Sequence, residues 1–199
     1  IYAQPDYGAV CSGYFGLLLL GGAVMASGIV VSALTTSQTV AYLVTTFIWL
    51  TVSLATKVLP SMVPTGLADF IFAIDPDLRT GAFSIGLIDT SGIVYFLSII
   101  VVMIVAAIFA IDLTRRPPKQ LSKVYVAVIS LIAILIAIND LALNERFRIR
   151  LDATGSRAYT LSSQTTQFID ALDAPWSIVV LLDEASSDRS VVRQIDEVL

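Results

Sequence analysis

The sequence predicts an α-helical integral membrane protein, with four transmembrane helices, that runs at its C-terminal end into the start of a water-soluble α/β domain. Three observations carry that class. The chain of 199 residues is 56% hydrophobic and only 14% charged, against about 45–50% and about 25% for an ordinary soluble domain, and its mean hydropathy is +0.84. The apolar residues gather into four long runs nearly free of charge, each of a length suited to crossing a bilayer. Beyond Leu143 the pattern changes to short alternating and amphipathic stretches of the kind found in water.

The first run covers residues 12–34, SGYFGLLLLGGAVMASGIVVSAL. About 23 residues make roughly 34 Å of helix at 1.5 Å per residue, enough for a hydrocarbon core of about 30 Å. Gly13, Gly16, Gly21, Gly22 and Gly28 lie within it. In water they would weaken a helix, whereas between membrane helices small residues permit close approach. Ala23 and Ser27 form one small-xxx-small pair.

The second run covers residues 39–56, TVAYLVTTFIWLTVSLAT. Its β-branched residues favour strand in water, but its length and lack of charge point to a span. Only TTSQ separates it from the first run, so the two form an antiparallel hairpin. The third run covers residues 91–113 and the fourth residues 124–143, with Asp112, Asn139 and Asp140 near their ends, where headgroups solvate polar groups.

Between the third and fourth runs lies a basic, proline-broken linker, 117–123, flanked by arginine: Arg115, Arg116, Lys119 and Lys123 surround Pro117 and Pro118. These cations are costly in hydrocarbon and favourable beside anionic lipid, and proline cannot continue a helix. The four therefore mark a membrane interface between two crossings.

Residues 57–90 do not read as a crossing. They hold Lys57, Arg79, Asp69, Asp75, Asp77 and Asp89, and Pro60, Pro64 and Pro76 interrupt them. A short helix is expected from Thr65, as N-cap, to Ile74. Leu67, Phe70, Ile71 and Ile74 then share one apolar face at i, i+3, i+4, i+7 spacing, and Asp75-Pro76 stops the helix. About ten residues are too few to span. The helix either lies in the interface, covering the bundle, or dips in and returns as part of a transport path.

The tail, 144–199, opens with RFRIRL. Phe147, Ile149 and Leu151 alternate with Arg146, Arg148 and Arg150, a half-buried strand whose arginine face meets lipid headgroups or, the favoured reading, solvent. TLSSQTTQFIDAL then suggests a helix capped at Ser162 or Ser163. APWSIVVLL suggests a buried strand, and SSDRSVVRQIDEVL another helix. Strand, helix, strand, helix is the beginning of an α/β domain on a parallel sheet. The chain is expected to be a piece of a larger protein.

Composition also narrows the chemistry. A net charge of −4 implies no surface for nucleic acid. There is no histidine, so the commonest general base and metal ligand is absent, and the single cysteine, Cys11, has no internal disulfide partner. No catalytic, cofactor or metal site is expected. The carboxylates Asp69, Asp75 and Asp77 could meet a cation, but acids on a loop are ordinarily just solvated.

Two stretches resemble a known transport system. QPDYGAVCSGYFGLLLLGGAVMASGIVVSALTTSQTVAY, followed by the amphipathic segment, GLIDTSGIVYFLSI and the stop at Arg115-Arg116, resembles the C-terminal half of an ABC-2 type permease of the gliding-motility-associated GldF-like group. This covers residues 1–116. From about residue 121, one span followed by RIRLDATGSRAYTLSSQTTQFIDALDAPWSIVVLL resembles the N-terminus of a GldG-like auxiliary protein. Arg150-Leu151-Asp152, Tyr159-Thr160-Leu161-Ser162 and Leu172-Asp173-Ala174-Pro175 carry that match.

The resemblance implies a fused permease and auxiliary protein in the plasma (inner) membrane. It implies short extracytoplasmic helices within residues 60–88, the basic linker in the cytoplasm and the α/β tail outside. It also implies a separate ATP-binding subunit that carries ATP and Mg, together with a second permease copy or an auxiliary subunit. The chain itself has no GxxxxGK[ST] loop to hold phosphates. Transport is one expected function. The alternative is a membrane anchor, or scaffold, for an envelope or surface-motility assembly. An intramembrane enzyme is the weakest reading, since no nucleophile–base pair is evident.

Overall fold

A computed structural model describes residues 6–115, 121–144, 146–155 and 157–171. Four long helices dominate: α1 (Tyr7–Leu34), α2 (Gln38–Val58), α5 (Thr90–Arg115) and α6 (Leu121–Leu143). Each is long and apolar enough to cross a membrane. Two short helices, α3 (Thr65–Ala73) and α4 (Pro76–Ser84), lie between α2 and α5 after a single 3-10 turn, Leu59–Ser61. A two-stranded sheet, β1 (Leu87–Asp89) with β2 (Arg150–Asp152), and a last short helix, α7 (Ser163–Asp170), complete the described chain.

All four long helices begin or end a few residues beyond the apolar runs. Polar residues at the ends join the helix because they can still cap or solvate it: Asp6 accepts hydrogen bonds from the N–H groups of Gly8 and Ala9 at 2.9 and 3.4 Å and starts α1 five residues ahead of the apolar run. The Asp75-Pro76 pair ends α3 as expected, but it also begins α4, a second short helix that the apolar spacing of this segment did not by itself predict. Asp75 accepts from the Asp77 N–H at 2.9 Å and Pro76 takes the first helical position. Thr65 is the first residue of α3 rather than its cap, a place taken by Pro64.

The chain groups into two compact units, Ile1–Ala55 with Asp75–Tyr159, and Thr56–Ile74 with Thr160–Leu199. In the first unit α1 and α5 run side by side in the same direction. Gly16 and Gly92 face the Phe83 ring from either side, and Gly22 faces Ile100. Phe83 is fully buried and forms the core with Leu19, Ala23 and Phe96. Phe15 meets it edge-on at 6.0 Å between ring centres. Ser12, also buried, donates its hydroxyl to the Phe83 carbonyl, which satisfies a carbonyl in the last turn of α4. One turn earlier on α4 the Arg79 guanidinium lies 5.8 Å from the centre of the Tyr95 ring.

Each helix hairpin carries a side-chain hydrogen bond between its two helices. Trp49 of α2 donates its indole N–H to Ser27 of α1 at 2.8 Å, so the buried Ala23–Ser27 pair does serve a helix contact. Asn139 of α6 donates to Ser98 of α5 at 2.7 Å and to the Leu135 carbonyl at 2.8 Å. Asn139 therefore turns inward to its neighbour instead of outward to headgroups, while Asp140 is exposed.

Outside these contacts the long helices present oil. Within the spans, 22%, 17%, 17% and 0% of residues are buried, in chain order. So much exposed apolar surface is stable only where the surroundings are themselves apolar.

In the second unit α3 packs on the 3-10 turn, with Ala68 and Phe72 buried. Helix α7 is capped by the Ser162 hydroxyl, which accepts from the Thr165 N–H at 3.1 Å. The strand and helix expected over 174–182 and 186–199 lie outside the described residues.

The first expected strand of the tail is shorter than the alternation suggested. The N–H groups of Phe147 and Arg148 donate to the Asn144 carbonyl at 2.9 and 3.0 Å. That turn bends the backbone where a strand was expected and leaves only Arg150–Asp152 in the sheet. The pairing is antiparallel to a strand that precedes α5, Leu87 opposite Asp152 and Asp89 opposite Arg150. The parallel sheet expected for the tail also involves the strand over 174–182, which lies outside the described residues.

Phe83 gives the sharpest test of this packing. Phe83→Ala empties the junction of α1, α4 and α5 and is expected to lower stability in mild detergent by about 3 kcal/mol, measured by denaturant titration of helicity. Gly16→Ala pushes a methyl to 2.7 Å from the Phe83 Cβ and is expected to cost about 1–3 kcal/mol.

Candidate functional site

The most elaborate polar arrangement among the described residues lies at one end of the helices, where the chain leaving α6 meets the first turns of α1 and α5. It begins with local chemistry. Asp89 precedes α5 and accepts from the Ser91 N–H at 2.9 Å, a capping bond that satisfies an otherwise orphaned donor. Asp6 does the same for α1. Negative charge is favoured at both places by the helix dipole.

Each of these carboxylates then receives a second partner from the tail. Arg148 donates through Nε at 2.8 Å and Nη2 at 2.5 Å to Asp89 Oδ2. Both side chains are largely buried. The arginine is thus held against an acid, not directed to solvent as the alternation suggested. At the other carboxylate, the Gly155 N–H lies 3.1 Å from both oxygens of Asp6. Between these anchors Thr90 and Ile149 exchange bonds: the Thr90 N–H donates to the Ile149 carbonyl at 3.1 Å, and the Ile149 N–H donates to the Thr90 hydroxyl at 3.0 Å. The Ala153 N–H donates to the Gly86 carbonyl at 2.9 Å.

The tail is shaped for this by its own turn. Asp152 accepts from the Thr154 N–H at 2.9 Å and from the Tyr159 N–H at 2.9 Å, and Thr154 accepts from the Ala158 N–H at 2.9 Å. Two glycines leave room. A Cβ at Gly8 would fall 1.7 Å from the Ala153 carbonyl oxygen, and one at Gly86 would fall 2.5 Å from Thr154 Cγ2. Gly86 also sits at φ +96°, a conformation that glycine adopts without steric cost.

Burial alone would raise the Asp89 carboxyl, but the hydrogen bond from Arg148, the Ser91 N–H and the arginine charge outweigh it and hold the group below its ordinary value of 3.8. Both carboxylates are occupied by N–H donors or a guanidinium, so the arrangement is a fastening. Among the described residues no three His, Cys, Asp or Glu side chains group as a metal site.

A separate cleft of about 640 Å³ runs between α1 and α4, lined by Tyr14, Leu17, Asp77, Thr80, Gly81 and Ser84 among others. The Thr80 and Ser84 hydroxyls donate back to their own helix, which leaves a mostly apolar wall with Asp77 on it. Asp77 also accepts from the Ser53 hydroxyl at 3.3 Å.

The residues singled out in the sequence are not brought together here. Arg115 ends α5 and Lys123 lies in the first turn of α6, while Arg116 and Lys119 lie outside the described residues. Leu67 and Phe70 on α3 and Ile74, which caps its end, are exposed, and Ile71 is partly buried, an apolar face turned outward. Cys11 is free and exposed. Sequence reasoning missed Asp6, Gly8, Gly86, Thr154 and Gly155. The short Asp-x-Thr turn at 152–154 and the Asp-Thr-Ser start of α5 were readable as local turns and caps. Nothing in either stretch says that the two pack together.

Removing one partner of the pair leaves the other charge buried. Arg148→Ala is expected to destabilise this end of the molecule by about 3 kcal/mol, read from denaturant titration in detergent. Because the Asp89 carboxyl is depressed in the folded state, its contribution is fully present above 3.8 and is lost as pH falls through the lower folded value. Acid titration of the unmodified chain should therefore weaken this end only below pH 3.8, and Asp89→Asn should abolish that component.

Neither family models, nor characterised proteins, nor solved structures give a match to this chain.

Proposed function

We propose that the chain is the membrane-spanning permease part of an ABC-2 type exporter, associated with gliding motility and energised by a separate ATP-binding subunit. The observation that carries this reading is the pair of short helices, α3 and α4, placed between the second and third long helices. Such helices before the last permease span are what the GldF-like resemblance implies. The mostly outward-facing apolar surfaces support a multi-pass arrangement in lipid. The glycine-lined contact of α1 with Phe83 and α5 supports close helix packing that small residues permit.

On this reading cargo moves as the long helices rearrange, and the chain supplies no catalytic residue. ATP and Mg bind on the partner. A second permease copy or an auxiliary subunit completes the path. The basic residues Arg115, Arg116, Lys119 and Lys123 face the cytoplasm of the plasma (inner) membrane, and the domain after residue 144 lies outside.

A second reading, an anchor or scaffold for an envelope assembly, is favoured by one observation. Residues 148–155 are fastened to the ends of α1 and α5 by Arg148–Asp89 and Gly155–Asp6, as an anchor for an outer domain would be. One experiment separates the two. The chain is co-reconstituted in liposomes with its candidate ATP-binding subunit. The exporter reading expects the subunit to co-purify in mild detergent and its ATP hydrolysis to rise several-fold over the free subunit. Absence of both effects would favour the anchor.

A further inference from the structure

We infer that residues 148–155 form a releasable latch, which ties the chain leaving α6 to the first turn of α1 across the first turn of α5. This goes beyond the exporter reading and does not depend on it. The latch reaches two helix ends. At α5 it is held by Arg148 on Asp89 and by the paired bonds of Thr90 and Ile149. At α1 it is held by the Gly155 N–H on Asp6. Closed, it couples three long helices at one end of the bundle.

Two features make it a latch and not simply part of the core. First, its grip is polar. Phe147, Ile149 and Leu151 are 61%, 59% and 58% exposed, so opening the segment gives up backbone hydrogen bonds and one ion pair but little apolar burial. Segments held in this way open locally, at a cost well below that of global unfolding. Second, its seat depends on the absence of a side chain. The Ala153 carbonyl occupies the space that any Cβ at residue 8 would need, at 1.7 Å. No rotamer relieves that overlap, because both parties are fixed by backbone. Alanine at position 8 suits helix α1 better than glycine does. The closed latch is therefore incompatible with a residue that the helix itself would prefer.

Hydrogen exchange read by mass spectrometry on the full chain in lipid nanodiscs tests this. In the unmodified protein the amides of 149–155 are expected to exchange more slowly than those of a free peptide of the same sequence, and much faster than the interior of α1. Gly8→Ala should speed exchange over 149–155 by roughly tenfold or more while peptides from α1 and α5 beyond their first turns stay unchanged. Gly155→Pro removes the N–H that reaches Asp6 from the opposite side and should give the same local effect without touching α1. Three outcomes would overturn the latch: no protection of 149–155 in the unmodified protein, protection that both variants leave intact, or loss of protection that spreads through α1, α5 and α6.

Discussion

Phe83 sits where α1, α4 and α5 converge, and its ring fits there because Gly16 and Gly92 leave it space. Membrane helices gain nothing from exchanging lipid for one another's apolar side chains. Their association depends on close packing and a few hydrogen bonds. A fully buried ring wedged between two glycine faces is that kind of contact. It draws α4, too short to cross a bilayer, against two long helices. It also brings the α4 C-terminal turn to Ser12, whose hydroxyl meets the Phe83 carbonyl. The directions of α1 and α5, and so the placing of their first turns side by side, follow from this junction.

Those first turns then act as an acceptor for the tail. Three aspartates, Asp6, Asp75 and Asp89, stand before helices and cap them by the same chemistry. Asp6 and Asp89 differ from Asp75 in having a tail donor as well, Gly155 and Arg148. A helix start is electrostatically suited to an anion, and an anion there is suited to a donor from outside. One feature of the helix end thus produces the other contact. The short β1–β2 ladder adds the remaining backbone bonds.

The energetic character of the two regions differs accordingly. The Phe83 junction is buried and mostly apolar, and it resists change in volume. The tail contact is polar, with its apolar side chains outward. A chain built in this way can keep its helices in place while its outer segment opens. The helices themselves, with at most 22% of a span buried, rely on an apolar environment for most of their surface. Asn139 and Trp49 supply the cross-helix hydrogen bonds that set which faces meet.

The helices were legible in the sequence because their signal is local. An uncharged run of about twenty residues is helix wherever it sits in lipid, and four such runs appear with their ends within a few residues of α1, α2, α5 and α6. The breaks at Asp75-Pro76 and after Leu34 were legible for the same reason, as was a cap at Ser162 or Ser163, of which the structure uses Ser162. The strand from Arg146 was overextended, because the Asn144 turn outweighs alternation. The apolar face of Leu67, Phe70, Ile71 and Ile74 was legible as a pattern, though it carries no information about what it faces. What the amino-acid order by itself determined, then, was where the four long helices lie, that each is long and apolar enough to cross a membrane and, to within a few residues, where each stops. Only the tertiary structure decided that Leu87–Asp89 is a strand, that Gly8 must lack a side chain and that Arg148 belongs to Asp89. Those features, and the Gly155–Asp6 bond beside them, join residues 59 to 149 positions apart, and distance along the chain leaves no local mark of a contact made through space.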